Sequence, residues 1–151
     1  MIRLRPGDAM AGGGALLLLV VTFLDWYTPA GGAEGLDAWH AFSVLDLLLA
    51  LVVLLGLALA VSQVVGRGPA LPVGISVLTA TITSGVTLLV LYRILNQPGP
   101  NDQIAVSAGA WLGLVCTALV AAGGWLALAD ETPRPSDPPA PAVERRPAPP
   151  A

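Results

Sequence analysis

Few side chains in this sequence can do chemistry, and four of them sit where apolar segments begin or end: Asp25, His40, Asp46 and Arg93. Brought together, two carboxylates, an imidazole and a guanidinium would line a polar vestibule for a proton, a cation or a small polar ligand, since ionisable groups beside lipid are functional candidates by default. A plainer chemistry competes at Asp46. The stretch "SVLD", residues 43–46, fits the pattern Ser/Thr-x-x-Asp/Glu that opens helices. Ser43 would cap, Asp46 would return a hydrogen bond, and Phe42 and Leu47 stand where a hydrophobic staple needs them. The positive end of the helix dipole also favours a carboxylate there. Arg93 offers a further partner, because helical rise places the two residues at heights differing by roughly 7 Å, which a snorkelling arginine largely bridges. Capping or pairing is therefore preferred to a ligand site.

Other constellations are missing. One histidine and one cysteine, Cys116, cannot supply a usual His/Cys zinc set. Cys116 lies mid-segment, too far from His40 for a nucleophile and base pair. A carboxylate pair drawn from Asp25, Glu34, Asp37 and Asp46 is conceivable, but loop acids are ordinarily just solvated. No catalytic, cofactor-binding or metal-ligating residue is expected, and the chain is read as a non-enzyme.

The elements that position these residues follow from composition. The chain is 55% hydrophobic and only 11% charged, against roughly 25% charged in a soluble domain, so lipid is the implied solvent. A helix crosses the ~30 Å hydrocarbon layer with about 20 apolar residues. Four spans are predicted, over 9–27, 44–65, 70–95 and 104–129. The first is short unless Trp26 and Tyr27 extend it as interface anchors. Helices apolar all round have no soluble core to enter in a chain of this size, and the segments are too long for barrel strands. The fold class expected is all-α: an integral membrane up-and-down four-helix bundle.

Orientation comes from arginine, the chain having no lysine. Arg3 and Arg5 precede span one, Arg67 joins spans two and three, and Arg134, Arg145 and Arg146 follow span four, with Arg93 alone toward the other side. Positive residues stay inside, so both termini are expected to be cytoplasmic and the protein to be a multi-pass protein of the cell's inner membrane. A competing expectation treats Arg3, Arg5 and the following "ALLLLVVTFL" as a signal peptide cut near "TPA" or "GGA", which would leave three spans in the same orientation. The net charge of −3 and the scattered arginines give no footprint for nucleic acid.

Along the chain, residues 1–8 form a cytoplasmic N-terminus in which Asp8 is expected to cap the first helix. The loop between spans one and two has turn residues first and aromatic residues later, with a short helix begun by Asp37. Only four residues, Gly66–Pro69, join spans two and three, which demands a tight antiparallel hairpin. In span three, Ser76, Thr79, Thr83 and Thr87 share one helical face; such hydroxyls usually bond their own backbone or a neighbouring helix. Small residues recur at close-packing spacing: Gly12–Gly14, Gly56 with Ala60, and Ala105, Gly109 and Gly113. The glycine triplet lacks the lysine and spacing of a phosphate loop. Residues 130–151 contain eight prolines and are expected to be a disordered cytoplasmic tail, with loose PxxP spacing that any proline-rich spacer also shows.

The segments "FLDWY", "AWHAFSVLD", "ALPV", "LYRIL..PG" and "AGGWLAL.DE", followed by a proline-rich end, resemble a group of small, uncharacterised four-span membrane proteins of high-GC Gram-positive bacteria. The resemblance implies an inner-membrane bundle and carries no activity or site residue. The tryptophan-bearing first outer loop is also similar to that of claudin-like proteins, but their paired loop cysteines are absent and that link is rejected. The function expected is a non-enzymatic structural, assembly or interaction protein whose partners are the lipid bilayer and a second copy or another membrane protein. The competing expectations are a small transporter or channel component using Asp46 and Arg93, and a membrane enzyme acting on lipid or envelope precursors.

Overall fold

The computed structural model describes residues 5–31, 34–41, 44–65, 70–97 and 103–131. Helix α1, Pro6–Val21, starts with proline at its first turn, where the missing N–H costs nothing. The chain then turns over Thr22–Leu24, whose amides donate back to carbonyls of Leu18, Val20 and Val21. Strand β1, Asp25–Pro29, follows, then β2, Leu36–Asp37, and the short α2, Ala38–Ala41. Three long helices complete the chain: α3, Leu45–Val65; α4, Ala70–Leu95; and α5, Ala108–Glu131, the last preceded by β3, Ile104–Val106.

The fold is mostly helical, as expected, and α3, α4 and α5 are each long and apolar enough to cross a membrane. Helix α1 has 16 residues, about 24 Å at 1.5 Å per residue. It packs against α3 and α5, while α4 packs against the same two. Leu18, Leu49, Leu59, Val90 and Val120 point inward and are fully buried, yet Leu16, Val20, Leu54, Leu88 and Leu126 are exposed. Apolar side chains therefore cover both the inside and the outside of the helical body.

Close approach of backbones holds this body together. A Cβ on Gly56 would stand 2.7 Å from Cβ of Ala15, and one on Gly123 would stand 2.5 Å from the amide nitrogen of Ala11. Gly12 meets Ala60 in the same way, so Gly56 and Ala60 serve contacts within the chain, as their spacing allowed.

Several expected boundaries are corrected. Span one does not run to residue 27, because Trp26 and Tyr27 belong to β1 and are buried, at 1% and 0% exposure; they are not interface anchors. Span four does not begin at 104, since Ile104–Val106 pair with β1 and the helix starts at Ala108; Ala105 therefore leaves the small-residue series. Asp8 does not cap α1: the N-cap is Arg5, without a side-chain hydrogen bond, and Asp8 is buried in the first turn. The predicted ends of spans two and three match α3 and α4 at residues 65, 70 and 95. The connection 66–69, the capping pair Phe42 and Ser43, and the tail from 132 onward lie outside the described residues.

Candidate functional site

The polar groups gather at the end of the body where α1 finishes and α5 begins, and a small sheet positions them. Its strand order is β2-β1-β3, antiparallel throughout. Tyr27 pairs with Val106, Thr28 with Ala105 and Pro29 with Ile104, while Asp25 lies opposite Asp37. The connection after α1 and the connection after α4 are thereby joined into one cap. Thr28 and Ser107 add a hydroxyl–hydroxyl hydrogen bond of 2.7 Å across it.

Trp26 anchors the cap. Its indole N–H donates to the carbonyl of Val21 at 2.9 Å, and its ring fills the space where Gly109 and Gly113 carry no Cβ. Tyr27 reaches the other way, its hydroxyl donating to the backbone carbonyl of Arg93 at 3.0 Å. Burial pushes the Tyr27 hydroxyl up to about 12, against a smaller opposing pull from the Arg93 guanidinium. A phenol kept protonated in this way remains a donor to that carbonyl.

On the cap surface, Asp25, Glu34, Asp37 and His40 line an acidic pocket of about 330 Å³. Asp37 begins α2 as its spacing predicted: Oδ1 accepts from the His40 amide at 2.9 Å and faces His40 Nδ1 at 2.6 Å. Burial would raise the Asp37 carboxyl, but the hydrogen bonds from the His40 ring and amide, its charge and the Trp39 amide together hold it below the ordinary value. Among the described residues, no three His, Cys, Asp or Glu side chains form a metal-holding group.

Of the four residues singled out by sequence, the structure brings two together. Asp25 and His40 share the acidic pocket. Arg93 lines a separate groove of about 360 Å³ with Val44, Leu45, Leu48, Leu89 and Tyr92. Asp46 sits in the first turn of α3 and accepts from the Leu47 amide at 2.8 Å. Among the described residues, the side-chain ion pair is His40–Asp37 and none joins Asp46 to Arg93. Asp46 thus stands at the N-terminal end of α3, without an ion pair to Arg93.

One ionisable residue was misplaced by sequence reasoning. Asp8, Ala11, Ala15 and Leu18 recur at i, i+3, i+7 and i+10 and are all fully buried. Extending the small-residue stripe of α1 backward by one turn would have put Asp8 on the packed face. The expected hydroxyl face of α4 is likewise internal, with Ser76, Thr79 and Thr83 fully buried. Cys116 is a buried free thiol whose carbonyl lies against Gly14.

No family model, curated protein or solved structure matches this chain.

Proposed function

We propose that the protein is a four-span, non-enzymatic module of the bacterial inner membrane, with both termini cytoplasmic, that uses its outer cap to hold a partner. Helix α1 and the turn after it supply the fourth span, and the arginine distribution sets the direction. The observation that carries this reading is the sheet β2-β1-β3, which ties two separate connections into one surface and seats Trp26 in a glycine notch on α5. A cap ordered by tertiary contacts presents the same groups to every partner and loses little entropy on binding. The acidic pocket at Asp25, Glu34, Asp37 and His40 gives it electrostatic character. The partner is a second copy or another membrane protein.

The transporter alternative has less support, because Arg93 lines a groove with Leu45, Leu48 and Leu89, whereas Asp25 and His40 line the separate acidic pocket. The lipid or envelope enzyme has less support, since the described residues lining the acidic pocket supply the Asp37–His40 pair without a Ser, Thr or Cys nucleophile beside it.

The test is native mass spectrometry of the full chain released from membranes in mild detergent, beside a Trp26→Ala variant and a chain ending at Glu131. A defined oligomer or one stoichiometric companion that is lost with Trp26→Ala and kept on truncation supports the cap. A lone protomer in every sample contradicts it, and a companion lost only on truncation moves the function to the tail.

A further inference from the structure

The capped end of the body carries a groove that the cap reading does not use. It lies between the start of α3 and the end of α4, holds about 360 Å³ and is lined by Val44, Leu45, Leu48, Leu89, Tyr92 and Arg93. Its chemistry is graded along its length. Tyr92, Arg93 and the first turn of α3 stand at its mouth, while Leu48 and Leu89 lie one helical turn further toward the middle of the body. Val44, Leu89 and Tyr92 are exposed, whereas Leu45 is buried and forms the floor. The groove is therefore basic at its mouth, apolar below, and open along its side.

The mouth is made of donors. The cap fixes the turn of α4 that bears them, since the Tyr27 hydroxyl donates to the Arg93 carbonyl at 3.0 Å. The Asn96 side-chain amide donates to the Tyr92 hydroxyl at 2.8 Å, which uses an oxygen lone pair and leaves the Tyr92 O–H to donate outward. A guanidinium carries five N–H groups in a planar fork that matches phosphate, so it can serve a ligand alongside contacts within the chain. The positive end of the α3 dipole adds charge of the same sign. Among the described residues that line the groove, none is acidic. A phosphate is matched there, and an ammonium group finds no counter-charge. Arg93 also stands apart in the chain: of seven arginines it alone falls toward the outer side, against the tendency of cations to stay inside.

We propose that this groove holds one anionic phospholipid of the outer leaflet, with its phosphate on Arg93 and Tyr92 and an acyl chain along Leu48 and Leu89. Basic pockets between membrane helices read lipid headgroups by this combination of charge and apolar wall. The inference rests on the membrane topology proposed above and not on the cap's having a partner.

The experiment extracts the full chain from membranes in mild detergent, exchanges away its native lipid, and titrates it with phosphatidylglycerol or with phosphatidylcholine of the same acyl chains. Native mass spectrometry counts the lipid bound. One phosphatidylglycerol per chain is expected to bind about tenfold more tightly than phosphatidylcholine, and Arg93→Gln to lose that preference. Arg5→Gln removes the same charge at the N-cap of α1, at the other end of the body, and should leave the preference intact. Glycerol 3-phosphate, which offers phosphate without acyl chains, should not compete at equal concentration. Equal binding of the two lipids, a preference that survives Arg93→Gln or is lost equally in Arg5→Gln, or displacement by glycerol 3-phosphate would each overturn the lipid site while leaving a membrane protein. A chain that leaves membranes in alkaline carbonate would overturn the topology along with it, so the two failures are told apart.

Discussion

The two ends of the helical body are held by opposite means. At the capped end a large ring fills a notch made by two glycines, and hydrogen-bonded strands cross between connections. At the other end small residues make the α1–α5 contact: Gly7, Ala11, Gly123 and Ala127 bring backbone against backbone. The difference teaches where charge can sit. The cap leaves its acids on a wet surface, whereas the tight end encloses Asp8 completely.

Removing the ring should break the comparison most severely. Trp26→Ala is expected to cost about 3–5 kcal/mol, the range for deleting a buried aromatic, read as a lowered thermal midpoint in mild detergent. An unchanged midpoint would mean that the cap is an ornament on a self-sufficient helical body. At the opposite end, Gly123→Ala drives a methyl group to 2.5 Å from the Ala11 nitrogen and 2.7 Å from the Gly7 carbonyl. Backbone cannot turn aside, so about 1–3 kcal/mol should be lost to overpacking. Gly13 and Gly85 have nothing within 4 Å, and alanine at either should be neutral or stabilise by up to about 1 kcal/mol. Equal effects at Gly13 and Gly123 would show that the close contact is not formed.

Tyr27→Phe sharpens the cap side, with an expected loss of about 1 kcal/mol from the hydrogen bond to Arg93. Its pH signature separates it from simple packing. The folded-state value near 12 exceeds the ordinary 10.0, so this contribution is full below pH 10 and fades as pH rises through 12. The phenylalanine variant should lack that alkaline slope in denaturation measured across the same range. The smallest effect belongs to His40→Ala, under about 1 kcal/mol for an exposed pair. Asp37 has its value lowered from 3.8, so its contribution is present above that pH and is lost as pH falls below it; the variant should flatten this acid limb.

Much of this was legible in the sequence. Uniform apolar runs fixed the ends of α3 and α4, and Gly56 with Ala60 announced close packing by spacing alone. The cap was not legible, because "DWYTP" is short and follows apolar residues, so local pattern favours extending the helix. Its strand character depends on pairing with Ile104–Val106, nearly eighty residues away, and tertiary contacts override local preference. Asp46 and Arg93 were placed at compatible heights, but height does not set rotation about each helix axis. Asp8 was misread because a carboxylate near a helix start satisfies the capping pattern whether or not a neighbouring helix covers it.

The most direct measurement concerns the joining of the two connections. Thr28 and Ser107 place their hydroxyl oxygens 2.7 Å apart, so cysteines there fall within reach of a disulfide, whose Cβ atoms stand about 3.5–4.5 Å apart. In a Cys116→Ala background, Thr28→Cys with Ser107→Cys is expected to cross-link nearly completely in isolated membranes under mild oxidation, shown by loss of thiol labelling and an intact linked peptide pair after proteolysis. Two thiols that stay free and label independently would contradict the cap, and with it the account of how this end of the molecule is held.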